Sequence, residues 1–145
     1  MRSGTAEEHQ HRGADLGLPA SGPGSVASVR SRVVAFVLDV LSGIALGGGI
    51  VAVFLGDVTE LERGLVHNAA FATQVVVLQA LTGQSLGMRL VGIRVLRPAS
   101  RDDVPGLLPA AVRTALLMLL VPALVYDRAG RGLHDRAAGT VIVRA

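Results

Sequence analysis

The chain has 145 residues, of which 50% are hydrophobic and 17% charged, with a net charge of +3 and no cysteine. That length holds one domain, and the apolar content is too high for an ordinary soluble one, so a membrane is the expected surrounding. The missing cysteine excludes a disulfide framework, a thiolate metal site and a cysteine nucleophile, and the positive charge does not point to nucleic acid, because the arginines flank apolar segments and only three phenylalanines and one tyrosine are present to stack on bases.

Residues 1–27 are rich in Gly, Ser, Pro, Glu and His, show no apolar period and read as a disordered cytoplasmic tail. No leader is expected, since no short apolar stretch with a small-residue cleavage site precedes Val33. His9 and His11 are expected to be solvated.

Val33 to Leu55 predicts a first helix of about 35 Å, enough to cross a hydrocarbon layer of about 30 Å. Asp39 is the one charge inside it. A second helix is expected over residues 65–82, shorter and more polar, carrying His67, Asn68, Gln74 and Gln79. Between them GDVTELERG forms a short acidic hairpin loop. Gly43 with Gly47, and Ala45 with Gly49, have the small-xxx-small spacing that lets a second helix approach, either within the hairpin or between copies.

Residues 83–105 read as an interfacial loop in which Leu86, Leu90 and Ile93 share one face, with Arg89 and Arg97 free to reach anionic lipid headgroups. A third apolar run covers residues 106–126 and is interrupted by Pro109, Arg113 and Pro122. Charge asymmetry bears on how it sits. Arginines collect on the cytoplasmic side, so Arg30 and Arg32 place the N-terminus inside, and Arg89, Arg94, Arg97 and Arg101 place the second loop there too. A complete third crossing would export Arg128, Arg131, Arg136 and Arg144. The preferred alternative is a broken or re-entrant helix, tolerated at membrane depth where it is buried against protein. Two stretches rich in β-branched residues support it: Leu90 to Leu96 and Thr140 to Val143, the latter within a C-terminal segment over 127–145, can pair as a small cytoplasmic sheet. The expected fold class is therefore an all-α membrane protein, a transmembrane hairpin plus a broken third helix, with a two-stranded β element.

Asp39 sets the chemical question. A charge near mid-bilayer costs roughly 2.5 to 3.5 kcal/mol on insertion scales, so its carboxylate needs company. Arg113, alone among basic residues inside the third run, is the favoured partner, through a forked charge-assisted contact. Gln74 and Gln79 reach the same depth and can donate instead. Arg32 lies two helical turns from Asp39, on nearly the same face at the water boundary. A structural polar clasp competes here with a site that handles protons or cations.

Three motifs carry a resemblance. RVVAFVLD at the first helix, GQSLGMR after the second and LHDRAAGT near the end are similar to the RDD family of bacterial membrane proteins, named for one arginine and two aspartates. The resemblance runs from about Ser28 to Ala145. It matches the family arginine to Arg32 and the aspartates to Asp39 and Asp135, with Gln84, Gly87, Arg89, Gly92, His134, Gly139 and Thr140 in the surrounding cytoplasmic pattern. Met88 stands where the family usually has a second basic residue. The resemblance implies a membrane architecture, and transport of unknown ligands has been suggested for the family.

From the residues alone, His134 and Asp135 lack a serine, cysteine or second carboxylate at a catalytic spacing, so no catalytic residue, metal or cofactor is expected. Asp135 is expected to cap a short helix or to pair with Arg89 or Arg94. GQSLGMR lacks the spacing of a phosphate-binding loop. The functional expectation is an accessory or scaffolding module in the cell inner membrane, its partners the bilayer, anionic headgroups and a membrane protein complex or homo-oligomer. The alternative is an oligomeric transporter or antiporter using Asp39.

Overall fold

The computed structural model describes residues 11–98, 104–119 and 131–145. Helix α1 spans Val29–Ile50. It begins at a cap, the Ser28 Oγ accepting the Ser31 N–H at 3.1 Å, which sets its start four residues before the apolar run itself. Its buried positions are Arg32, Ala35, Asp39, Gly43 and Gly47, spaced three or four apart and so confined to one stripe. Most of the other valines and leucines of the helix, Val33, Val37 and Leu41 among them, are exposed. A π-type turn, Val51–Leu55, carries the helix to Gly56, whose φ of +68° ends it.

Helix α2, Glu60–Thr82, starts earlier than its apolar pattern suggests because Thr59 and Glu62 form a capping box, each side chain holding the other's backbone N–H. Gly83, at φ +72°, closes the helix with its N–H on the Gln79 carbonyl. At 22 and 23 residues, α1 and α2 are about 33 to 35 Å long. Both are long and apolar enough to cross a membrane. They pack antiparallel along the glycine stripe: a Cβ on Gly43 would lie 2.7 Å from the Phe71 Cβ, and one on Gly47 would lie 2.8 Å from the His67 Cα. The first small-residue pair therefore serves the hairpin, reinforced by an edge-to-face contact of Phe36 and Phe71 with centroids 6.1 Å apart. Ala45 and Gly49 remain on the exposed face.

After the hairpin, α3 (Leu86–Val91) is capped by Ser85, and Gly92 at φ +72° turns the chain into β1, Ile93–Leu96. The expected strand began at Leu90. The Ser85 cap draws Leu90 and Val91 into a helix, and with them goes the expected apolar face: Leu86 and Leu90 are exposed whereas Ile93 is in the core. β1 pairs antiparallel with β2, Val141–Arg144, with Ile93 opposite Arg144 and Leu96 opposite Val141.

A third extended segment lies against β2. The Ala27 N–H donates to the Ile142 carbonyl at 2.9 Å, the Arg144 N–H to the Ser25 carbonyl at 2.9 Å and the Gly24 N–H to the Arg144 carbonyl at 2.9 Å. Residues 24–27, expected within a disordered tail, are thus a sheet edge, and Ala27 is buried with Ala35, Met88, Ile93, Val95 and Ile142. Local composition could not reveal this, because the partner strand is more than a hundred residues away. His11 has its Nε2 2.9 Å from the Leu18 carbonyl, and His9 lies outside the described residues.

Helix α4, Leu107–Met118, packs on α2. Pro109 falls in its first turn, where no intrahelical N–H is needed. The expected interruption at Pro122 lies outside the described residues. Helix α5, Leu133–Ala137, packs on α4, and β2 follows it beside β1. The chain therefore comes back to the end of the hairpin from which α4 sets out.

Candidate functional site

The stripe of α1 meets α3, α4, α5 and β2 in a cluster of buried polar groups. Asp39 stands one turn beyond Ala35 and aims at the first turn of α3. The Ser85 hydroxyl donates to its Oδ2 at 2.5 Å, and the Gly87 N–H donates to its Oδ1 at 2.7 Å. Ser85 Oγ in turn accepts the Met88 N–H at 3.3 Å as the cap of α3. Gly87 is required by proximity: a Cβ there would run into the Ala35 carbonyl. A carboxylate at the open N–H groups of a helix start needs no cation to be satisfied.

That arrangement corrects the expected pairing of Asp39 with Arg113. Arg113 Nη1 is instead 3.1 Å from Asp135 Oδ1, because α5 delivers Asp135 to α4 while α3 occupies both oxygens of Asp39. Arg32 Nη1 lies 3.5 Å from the other oxygen of Asp135 and its Nη2 donates to the Ile142 carbonyl at 3.4 Å. Asp135 therefore pairs with Arg113 and Arg32, where Arg89 or Arg94 was expected; Arg89 is on the exposed face of α3. His134 Nε2 is 3.4 Å from Asp135 Oδ1. Asp135 is fully buried, Arg32 and Arg113 nearly so.

The glutamines divide their roles. Gln74 Nε2 donates to the Asp39 backbone carbonyl at 3.0 Å and to the Ser42 hydroxyl at 2.6 Å, binding α2 to α1 without touching the carboxylate. Gln79 does not reach Asp39 either; its Nε2 has the Met88 sulfur at 3.9 Å. The remaining motif residues hold the sheet end together. Gln84 Nε2 donates to the Ile93 carbonyl at 3.0 Å. Thr140 gives its N–H and its hydroxyl to the Asp135 carbonyl at 2.8 and 3.2 Å, across a turn in which Gly139 adopts φ +64°.

Ser85 is the site residue that motif reading passed over. Its signal was present, since a serine directly before a short apolar stretch is a helix cap. The formal charges of Arg32 and Arg113 match those of Asp39 and Asp135, so the cluster is neutral as a whole and joins α1, α3, α4, α5 and β2. Among the described residues no group of three or more His, Asp or Glu side chains is placed to hold a metal ion.

No curated protein and no solved structure matches the chain. The sequence pattern of the RDD family covers residues 26–139. Arg32, Asp39 and Asp135, which the sequence resemblance matches to the family's arginine and two aspartates, are gathered by the fold at the base of the hairpin, and the chain belongs to the RDD family.

Proposed function

We propose that this chain is a small multi-pass module of the bacterial inner membrane that serves as an accessory or scaffolding component for a larger membrane partner. The observation that carries the reading is the internal balance of the buried cluster. A carboxylate that moves protons or cations has to exchange partners in each cycle. Both oxygens of Asp39 are engaged by Ser85 and by the Gly87 backbone, which are themselves parts of the scaffold, and Asp135 is held between two arginines. Such a cluster specifies an arrangement of segments.

The same geometry supports a cytoplasmic N-terminus and C-terminus. Residues 24–27, β1 and β2 lie together at one end of the hairpin with Arg30, Arg94 and Arg144, whereas Asp57, Glu60 and Glu62 lie at the other. Arg113 of α4 and Asp135 of α5 are in contact, which supports a re-entrant third apolar run over a full crossing. The face of α1 that bears Ala45 and Gly49 is open, and a Cβ on Gly49 would meet nothing within 4 Å. A partner helix fits there by close backbone approach.

The test is co-purification in a gentle detergent followed by mass spectrometry of the native chain and of Gly49→Leu. A stoichiometric membrane protein that is lost from Gly49→Leu, with the thermal stability of the chain unchanged, is the expected result. A homo-oligomer without other subunits, combined with a proton-coupled flux in vesicles that Asp39→Asn abolishes, would establish the transporter instead.

A further inference from the structure

Several buried side chains in and around the cluster keep polar atoms without a hydrogen-bond partner, Thr114 Oγ1 and Asp135 Oδ1 among them, and two of these side chains, Gln79 and Arg113, line one cavity. Among the described residues Gln79 Oε1 and Arg113 Nε have no hydrogen-bond partner, although Gln79 is only 2% exposed and Arg113 only 3%. Buried polar atoms in folded proteins nearly always have partners. Both side chains line one cavity of about 210 Å³, whose other walls include Phe36, Val75 and Leu117. Its rim on α1 is formed by Val29 and Val33, which are exposed. A second cavity of about 390 Å³ shares Phe36 and Leu117 with the first and continues past Val40 and Ile44 between α1, α2 and α4. From Phe36 to Ile44 the helix rises about 12 Å. The pair of cavities has a polar end beside the charged cluster and a mostly apolar stretch leading away from it, past Val40 and Ile44, with His67 and Asn68 also in its lining.

We infer that the two cavities bind a single-chain lipid with an uncharged, hydroxyl-bearing head, of the monoacylglycerol class. A head seated at the polar end has to accept from the Arg113 Nε–H and donate to Gln79 Oε1, and a hydroxyl does both. A charged head does not fit. Arg32 and Arg113 are already balanced by Asp39 and Asp135, so an added charge would stand uncompensated in an apolar site. The first cavity exceeds the roughly 150 Å³ that admits a benzene ring and falls short of the roughly 300 Å³ of a drug-sized pocket, which suits a head group. The second takes the chain. The inference rests on the membrane placement proposed above, since the ligand enters from lipid at Val29 and Val33.

Equilibrium binding of radiolabelled monolaurin to the full chain in phosphatidylcholine nanodiscs tests it. Saturable binding of one molecule per chain is expected, displaced by unlabelled monolaurin but not by laurate or dodecane at the same concentration. Gln79→Leu, which keeps the volume and removes the polar atoms, weakens binding roughly tenfold, the worth of a buried hydrogen-bonded contact. Val33→Trp, at the exposed rim and outside the ion-pair cluster, weakens it by a similar factor by closing the entrance. Binding unchanged in both variants, or laurate competing better than monolaurin, overturns the site. Co-elution of the chain with the discs is read separately: co-elution without saturable binding overturns the site alone, and failure to co-elute overturns the membrane placement and the site together.

Discussion

Replacing Asp135 with asparagine removes the charge that two buried arginines share. Asp135 is 0% exposed, Arg113 lies 3.1 Å from one of its oxygens and Arg32 lies 3.5 Å from the other. Breaking a buried ion pair from one side costs about 3 to 5 kcal/mol, because the remaining charge is left in a poorly polarisable interior. Arg32 keeps the Ile142 carbonyl at 3.4 Å, so most of the loss falls on Arg113. Arg113→Met removes that stranded cation while filling similar volume. Asp135→Asn combined with Arg113→Met should therefore cost less than the two single changes added together, by a coupling of about 1 to 3 kcal/mol. Asp39→Asn combined with Arg113→Met should couple more weakly than that, because the carboxylate of Asp39 bonds to Ser85 and Gly87 and Arg113 acts on it through Coulombic attraction alone. The cycles are measured by equilibrium unfolding in mixed micelles titrated with dodecyl sulfate and followed by far-ultraviolet circular dichroism. A larger coupling for Asp39 with Arg113 than for Asp135 with Arg113 would refute the assignment of partners.

Four other outcomes follow from the same contacts. Ser85→Ala deletes a donor to Asp39 and the cap of α3, and should lose about 1 to 3 kcal/mol in the same unfolding assay; an unchanged midpoint would show that Asp39 does not depend on the hydroxyl. Gly87→Ala forces a methyl against the Ala35 carbonyl and should cost at least the 1 to 3 kcal/mol typical of overpacking, seen as lower yield and earlier aggregation on size exclusion. Thr59→Ala removes the capping box of α2 and should cost about 1 kcal/mol, with faster amide exchange confined to the first turn of that helix and no change around Asp135. Alkaline phosphatase joined after Val58 should be active in the periplasm and the same enzyme joined after Ala145 inactive, and activity at Ala145 would place the C-terminus outside.

What was legible in the sequence was local. The two long apolar helices follow from the length and composition of continuous segments, and the requirement that Asp39 be shielded follows from the cost of a charge among apolar residues. The cap signals of Ser28, Thr59 and Ser85 are equally local, and they explain why the helices begin before, or in addition to, the apolar runs. The glycine spacing announced a close helix contact, although only the packing showed that Gly43 and Gly47 spend it on Phe71 and His67.

The partners of the buried charges belong to tertiary structure. Ser85 and Gly87 reach Asp39 from 46 and 48 residues along the chain, and Arg32 meets Asp135 across 103. Several donors in the sequence were chemically suitable for Asp39, and chemistry alone favoured the arginine. Geometry chose otherwise, since the glycine at 87 lets α3 approach the Ala35 carbonyl and place its first N–H groups at the carboxylate. The pairing of residues 24–27 with β2 was hidden for the same reason: a strand edge is recognised by the backbone beside it, and no short stretch of sequence contains its own neighbour.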